Sequence, residues 1–171
     1  MVDKPQVEYL DGVPYPKVSP KRIHAQVQLA AAMLLKRCAG SRGIVGTEWR
    51  FHPGAIDATR TDLVPDVAYV SIERLQALEP AQRDEPPFSP DIGIEVRSPS
   101  HRLAFSEQKI ERYLRSGSVL ILDVDPGTRT IEARTREGAR TFAAGQTFTC
   151  DLLPWLTFEV DEVFADLDLA L

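Results

Sequence analysis

Hydrophobic residues recur along the chain with two spacings, and the wider spacing predicts helices. Between Ser19-Pro20 and Cys38, apolar side chains lie three or four residues apart, as on one face of an α-helix. Ser19 is a preferred N-cap residue and Pro20 suits the first helical position, so the helix is expected to begin there. The same spacing predicts a second helix over residues 103–116, which Gly117 ends. The apolar positions of the first helix are Ile23, Val27, Ala30, Ala31, Leu34 and Leu35.

Short apolar runs, several of them alternating with polar residues, predict strands. These runs are residues 44–51, 63–70, 92–98, 119–123 and 130–134. The dipeptide Asp11-Gly12 predicts a tight hairpin near the N-terminus. Asp125-Pro126-Gly127 predicts the turn between the last two strands, and a final hairpin and an acidic tail follow them.

The order of these elements indicates the fold class. A helix lies between strands 92–98 and 119–123, which is the usual connection between two parallel neighbours. We therefore expect an α/β (α+β) fold, with a mixed sheet flanked by helices, an N-terminal hairpin and C-terminal hairpins. The whole chain, residues 1–171, is expected to form one domain.

The composition is that of a globular protein, but the charge is unevenly placed. Of 171 residues, 43% are hydrophobic, and the net charge is -5. Six acids and no lysine or arginine lie in residues 151–171, which leaves nineteen acids and twenty basic residues in residues 1–150. The acidic net charge therefore does not exclude a phosphate-binding face, for which the basic residues between positions 97 and 115 are candidates.

The chain lacks the signals typical of secreted or membrane proteins. Its two cysteines, Cys38 and Cys150, form no C-x-x-C pair, which argues against a zinc ribbon or redox motif and fits a reducing compartment. Residues 1–5 carry no apolar secretion segment, and no apolar run approaches the roughly 18–20 residues of a membrane span. A cytoplasmic protein without membrane contact is expected.

Two carboxylates, Asp66 and Glu95, lie inside apolar runs of strand type. A buried carboxylate needs a cationic partner or a metal ion, and two from neighbouring strands would form a hard-oxygen site for Mg²⁺ or Mn²⁺. A structural interpretation stays open at this point: Asp66 caps a turn after Pro65, and Glu95 forms a buried ion pair with Arg97 or Lys109.

Two cations are expected beside these carboxylates. Glu95 and Arg97 lie two residues apart on one strand and so point to the same face of the sheet. The following helix can present Lys109 to that face. Carboxylates that hold a metal, with a lysine or arginine nearby, suit phosphodiester hydrolysis, because the metal acidifies a bound water and the cation stabilises developing charge.

Several short motifs occur in a recognisable order along most of the chain. They are Glu8-Tyr9-Leu10-Asp11-Gly12, His24, Val64-Pro65-Asp66-Val67, Pro90-Asp91-Ile92-Gly93-Ile94-Glu95-Val96-Arg97-Ser98-Pro99-Ser100, Lys109 with Tyr113 and Gly117, and Asp123-Val124-Asp125-Pro126. With these motifs the chain resembles the Uma2 family of restriction-type endonucleases, a group within the PD-(D/E)xK nuclease superfamily.

The resemblance implies an activity and a ligand set. The activity is Mg²⁺-dependent (or Mn²⁺-dependent) endonucleolytic cleavage of DNA. Asp66 and Glu95 would be metal ligands, the Val96 carbonyl a third ligand, and Lys109 the catalytic lysine that has migrated from the strand to the following helix.

Arg97 departs from the superfamily pattern, whose E-x-K motif would place lysine at this position. Arginine stays protonated at neutral pH and cannot act as a general base. It could clamp phosphate, or it could pair with Glu95 or Asp66 in the metal-free protein and weaken metal binding. Two alternatives therefore stay open: an inactive member of the fold that binds nucleic acid or a protein, and a dimerising scaffold.

Two further side chains are weaker candidates for the cleft. His24 lies near the start of the first helix, where a packing role is the simpler interpretation, and Glu48 interrupts a strand and could join the metal site. We also expect a homodimer, because the hairpins after residue 119 leave sheet edges that need cover and isologous pairing is the commonest solution.

Overall fold

A six-stranded mixed sheet lies at the centre of the computed structural model, which describes residues 7–17, 19–54, 60–98 and 103–169. Side by side, its strands are β3 (Gly43–Thr47), β4 (Val67–Ser71), β5 (Ile92–Val96), β6 (Leu120–Asp125), β7 (Thr130–Thr135) and β8 (Gly138–Ala143). Neighbours are antiparallel except β5 and β6, which are parallel. The predicted parallel pair is therefore confirmed, and the mixed sheet agrees with the predicted fold class.

Among the described residues, two small sheets, four α-helices and two 3₁₀ helices accompany the central sheet. The small sheets pair β1 (Val7–Leu10) with β2 (Val13–Pro16), and β9 (Thr147–Phe148) with β10 (Phe158–Glu159). The α-helices are α1 (Arg22–Ala39), α2 (Ile72–Gln76), α3 (Leu103–Arg115) and α4 (Val160–Phe164). Short 3₁₀ helices lie at Pro80–Gln82 and Ala165–Asp168. Within the described residues, no helix has the length and apolar character to cross a bilayer.

The strand pleat divides the core into two apolar layers. Ile94 and Leu122 belong to the layer that packs against α1, whereas Ile121 belongs to the layer that packs against Ile110 and Tyr113 of α3. Glu95 lies between Ile94 and Val96 on β5, so the two-residue period of the strand directs its side chain to the α3 face. This alternation places Glu95 on the face of the sheet that is covered by Ile110 and Tyr113.

Gly93 lets the Ile121 side chain of β6 pack closely on this face of the sheet. A Cβ atom at Gly93 would lie 3.0 Å from Cδ1 of Ile121 and 3.8 Å from the ring of Tyr113. A larger residue would therefore push first against Ile121, whereas the Tyr113 ring, whose hydroxyl reaches Glu95, lies at ordinary contact distance. The glycine thus makes room for Ile121 beside the Tyr113 ring.

Several predicted boundaries were wrong. Helix α1 begins at Arg22 with Lys21 as its N-cap, so Ser19 and Pro20 precede it, and Ile23 is 47% exposed rather than in the core. The strand predicted over residues 44–51 ends at Thr47, because Glu48 adopts a positive φ of 52° that leaves the extended conformation. The strand predicted over residues 63–70 begins only at Val67.

The acidic C-terminal segment is folded rather than a free tail. It contains α4, which was not predicted, and which begins with a capping box between Glu159 and Glu162. Glu162 also binds Arg37 of α1 at 2.7 Å, and Asp168 pairs with Arg129. These acids are therefore partly neutralised by basic residues from the rest of the chain.

Candidate active site

Asp66 lies immediately before β4, at the end of the strand that neighbours β5. The antiparallel register pairs Val67 with Ile94, so Asp66 and Glu95 are the next positions on the two strands. The backbone N–H of Val96 donates to Oδ2 of Asp66 over 2.7 Å, and Nε2 of His24 lies 3.1 Å from the same oxygen. Burial raises the pKa of Asp66, but His24, Lys17 and Lys109 outweigh it and hold that pKa well below its ordinary value.

Glu95 is bound by two side chains of α3. Nζ of Lys109 lies 2.8 Å from Oε1 and 2.9 Å from Oε2 of Glu95, and the Tyr113 hydroxyl donates to Oε1 over 2.8 Å. The pKa of Glu95 is raised to about 7, because burial and the negative charges of Asp66 and Glu8 raise it by more than the Lys109 ammonium lowers it. The pKa values of the facing carboxylates Asp66 and Glu95 therefore lie far apart.

Lys109 is a buried ammonium shared by carboxylates from two elements. Its side chain is only 5% exposed, and Nζ lies 2.8 Å from Oε1 of Glu8 as well as against Glu95. It also donates to the Val64 carbonyl at 3.4 Å. Burial lowers the pKa of Lys109, but Glu8, Glu95 and Asp66 overcome this effect and raise it, so the amine is charged at neutral pH. The expectation that Lys109 points from its helix toward Glu95 is confirmed.

Glu8 belongs to this cluster, although only its place in a family motif had suggested it. It extends from β1 and accepts the backbone N–H of Val64 over 2.8 Å as well as the Lys109 ammonium. The N-terminal hairpin is therefore attached through this carboxylate to the segment before β4 and to α3. Both Glu8 and Lys109 are buried, so their contact is part of the folded core.

A second lysine, Lys17, lies on the other side of Asp66 and was missed. Its Nζ lies 2.6 Å from Oε2 of Glu48, 2.9 Å from the Val64 carbonyl and 3.5 Å from Oδ1 of Asp66. Gln28 of α1 donates to Oε1 of Glu48 over 3.1 Å and to the Asp66 carbonyl over 2.9 Å. Lys17 follows a short hairpin with no periodic pattern, so no sequence signal separated it from a surface lysine.

Glu48 reaches this group through an unusual backbone conformation. Its φ of 52° lies in the left-handed region, which is uncommon for a residue other than glycine, and its N–H donates to the Asp66 carbonyl over 3.3 Å. The turn that ends β3 early therefore sets Glu48 beside Asp66. The structure thus brings the weaker candidate Glu48 into the same cluster as Asp66, to which Lys17 links it.

His24 contacts the site from the first turn of α1. Burial lowers the pKa of His24, but its hydrogen bond to Asp66 and the Asp66 charge outweigh this and raise it. Within the described residues, its buried Nδ1 atom has no hydrogen-bond partner. The packing interpretation had been the simpler one, yet the ring is a direct neighbour of the Asp66 carboxylate.

The chain is similar to known proteins over most of its length. The family model described as Uma2, "Putative restriction endonuclease", matches residues 2–161. The chain belongs to the Uma2 family. A solved structure titled as a putative nuclease belonging to DUF820 from Anabaena variabilis ATCC 29413 superposes with a TM-score of 0.81, at 18% identity over 94% of this chain and 90% of that one. No curated protein matches the sequence.

The predicted pairing of Arg97 with Glu95 or Asp66 was wrong, because the guanidinium in this Uma2 chain binds Asp123. Its Nε lies 3.0 Å from both carboxylate oxygens of Asp123, and its Nη2 lies 2.6 Å from Oδ2. Asp125 and Glu132 lie 3.6 and 3.7 Å from the same guanidinium. Asp123 faces Glu95 on the parallel strand β6, so a buried acid was available to Arg97 that the sequence pattern did not indicate.

The donors of this Uma2 site are of the type that a hard cation prefers. Asp66 and Glu95 contribute carboxylate oxygens from neighbouring strands, and four carboxylates in the cluster face two lysines and one histidine. Within the described part of the chain, no three His, Cys, Asp or Glu residues are grouped to hold a metal ion. Mg²⁺ commonly takes only one or two protein carboxylates, with water and substrate phosphate completing its shell, so the donor set fits it.

Proposed function

We propose that this protein is a metal-dependent endonuclease that hydrolyses phosphodiester bonds in DNA, with Mg²⁺ or Mn²⁺ as its cofactor. The observation that carries the proposal is the buried Lys109 ammonium at 2.8 Å from Glu95, with Asp66 at the facing position of the next strand. A cation-binding carboxylate pair beside a fixed positive charge suits attack on a phosphodiester. Membership of a family described as restriction endonucleases supports the same reaction class.

Asp66 and Glu95 are the proposed metal ligands, and the Val96 carbonyl is the proposed third ligand. When bound, the cation would acidify a coordinated water and offset charge on the scissile phosphate. The Val96 N–H and the His24 ring hold Oδ2 of Asp66, which fixes the orientation of that carboxylate. Tyr113 and Lys109 hold Glu95 in the same way, so both ligands are oriented before a cation enters.

Lys109 is proposed to orient the attacking water and to stabilise charge that develops on the phosphate. Its raised pKa keeps the amine protonated at neutral pH, so it acts as a cation and hydrogen-bond donor rather than as a general base. Its contacts with Glu8 and the Val64 carbonyl restrict the position of Nζ. A restricted donor loses little conformational freedom when the substrate binds.

Arg97 gives no reason to expect an inactive protein. One ground for the inactive alternative was that the Arg97 guanidinium would neutralise Glu95 or Asp66. Because Arg97 binds Asp123 instead, Glu95 keeps Lys109 as its cationic partner. We therefore assign Arg97 to the support of β5 and β6 rather than to direct contact with the cation.

Incubation with supercoiled plasmid in Mg²⁺ and in Mn²⁺ tests the proposal. We expect the wild-type protein to nick or linearise the plasmid in either cation, and EDTA to abolish the reaction. Glu95→Ala should remove activity, whereas Glu111→Ala, at an exposed position of α3, should retain it. Plasmid that stays intact with the wild-type protein in both cations, over a range of pH, would contradict the proposed activity.

A further inference from the structure

We propose that Lys17 is an internal competitor for the cation site: its ammonium neutralises Asp66 in the metal-free protein and moves away when a divalent cation binds. This inference rests on the proposed metal dependence and adds a residue that controls cation affinity. Lys17 lies outside the sequence pattern of Asp66, Glu95 and Lys109, and the contacts of its ammonium support this role.

The two oxygens of Asp66 have different partners. Oδ2 receives the Val96 N–H and the His24 ring, whereas Oδ1 faces the Lys17 ammonium at 3.5 Å. Among the residues that the structure describes, Oδ1 is therefore the Asp66 oxygen that is left for a metal ion, and the Lys17 ammonium is its neighbour. The same ammonium holds Glu48 at 2.6 Å, so it offsets the repulsion between two neighbouring carboxylates.

Lys17 is better able to move than Lys109, although both contact the Val64 carbonyl. Lys109 is enclosed between the sheet and α3 and binds two carboxylates, with only 5% of its side chain exposed. Lys17 follows β2, which belongs to the separate two-stranded sheet, and its side chain is 18% exposed. Its flexible four-carbon stem can carry the ammonium toward solvent without movement of the main sheet.

The expected consequence is a weakened affinity for divalent cations. An ammonium beside Oδ1 must be displaced before a metal ion can bind there, so part of the metal-binding free energy is lost in breaking its contacts. Removal of the ammonium abolishes this competition and also makes the site more negative. Both effects favour a divalent cation, and each acts on cation binding in the absence of DNA.

Calorimetric titration with Mn²⁺ tests the inference on the full-length chain. We expect Lys17→Met to lower the Mn²⁺ dissociation constant about tenfold or more, the factor that follows from loss of one adjacent positive charge. Lys17→Arg keeps the charge and should bind Mn²⁺ as the wild type does. Lys36→Met removes the same charge from an exposed position near the end of α1 and should also leave the affinity unchanged.

Thermal unfolding gives an independent readout. Without metal, Lys17→Met should unfold at a lower temperature than the wild type, because Asp66 and Glu48 lose their shared cation. Saturating Mn²⁺ should raise the unfolding temperature of Lys17→Met by more than it raises that of the wild type. If Lys17→Met does not fold, Lys17→Gln provides the same test with a polar side chain.

The outcomes separate this inference from the proposed function. If the wild type binds Mn²⁺ and cleaves plasmid, but Lys17→Met and Lys17→Gln bind Mn²⁺ equally or more weakly, the inference is wrong and the nuclease proposal stands. If neither the wild type nor the Lys17 variants bind Mn²⁺, both proposals fail. Tighter binding by the variants that remove the charge, Lys17→Met and Lys17→Gln, with Lys17→Arg and Lys36→Met unchanged, supports the competitor role.

Discussion

The backbone N–H of Val96 donates to Oδ2 of Asp66 over 2.7 Å and thereby fixes one candidate ligand to the residue that follows the other, Glu95. This bond stabilises the charged form of Asp66, whose pKa is lowered despite its burial because His24, Lys17 and Lys109 surround it. Glu95 shares the face of the sheet, but burial raises its pKa to about 7. Of the two candidate ligands, Asp66 is therefore charged at neutral pH, whereas Glu95 titrates near neutral pH.

We expect Mn²⁺ affinity to rise with pH up to about pH 7 and to level off above it. A metal ligand must be deprotonated, and Glu95, with a pKa of about 7, still carries a proton at pH 5.5 in the metal-free protein. Below that pKa, affinity should change by up to about tenfold per pH unit. Calorimetric titrations between pH 5.5 and 8 measure this dependence, and an affinity independent of pH would contradict it.

Glu95 should also make the metal-free protein less stable as pH rises. Its folded pKa of about 7 lies above the ordinary value of 4.5, so the folded state binds more protons between these values. The stabilisation of the folded state by the proton on Glu95 is complete below about pH 4.5 and is lost as pH rises through 7. The free energy of unfolding then falls by at most about 1.4 kcal/mol per pH unit.

Denaturant unfolding of wild type and Glu95→Gln in EDTA, at pH 5.5, 6.5 and 7.5, measures this effect. The raised pKa of His24 gives a loss of the same sign in both proteins, so the difference between the two stability curves isolates Glu95. We expect the wild type to lose stability relative to Glu95→Gln as pH rises. Parallel curves would show that Glu95 does not titrate in this range.

Lys109→Met should destabilise the protein by about 3–5 kcal/mol at neutral pH, because it leaves Glu8 and Glu95 buried without their shared cation. Urea unfolding at pH 7.5 measures the change, and Lys36→Met serves as the exposed control. The combined Lys109→Met and Glu8→Gln variant should recover part of the loss. If Lys109→Met by itself is as stable as the wild type, Lys109 is not required to neutralise Glu8 and Glu95.

Arg97→Leu should lower stability without changing cation affinity. The guanidinium binds Asp123, which is buried, so its removal leaves an unpaired carboxylate inside the fold and costs about 2–3 kcal/mol. Mn²⁺ affinity and plasmid cleavage, measured well below the unfolding temperature, should stay near wild-type values. Tighter Mn²⁺ binding would instead support an inhibitory role, and a severe loss of cleavage alone would indicate a phosphate clamp.

We further predict a homodimer in solution. The edges of the central sheet are β3 and β8, and such edges present unpaired backbone groups that a second copy could cover. Two copies would also bring two sites to the two strands of a duplex. Sedimentation velocity at micromolar concentration tests this, and a single monomeric species would rule it out at that concentration.

The hydrophobic pattern by itself determined the main elements and the pair of carboxylates. Helical spacing indicated α1 and α3, and the helix between two apolar strands indicated the parallel pair β5–β6. Asp66 and Glu95 were identifiable because carboxylates within apolar runs need a cationic partner. Lys109 was identifiable because it lies on the helix that follows Glu95 and packs over the sheet.

Tertiary structure decided which charged groups meet. Lys17 lies in a segment without a periodic pattern, and Glu48 lies 31 residues away in a predicted strand, so only the turn at Glu48 and the docking of the hairpin bring them to Asp66. Arg97 had Glu95 as its nearest acid on the strand, but Asp123 on β6 offered a buried bidentate partner. Local periodicity determines the face on which a side chain lies, whereas the partner that neutralises its charge depends on which strands and helices become neighbours.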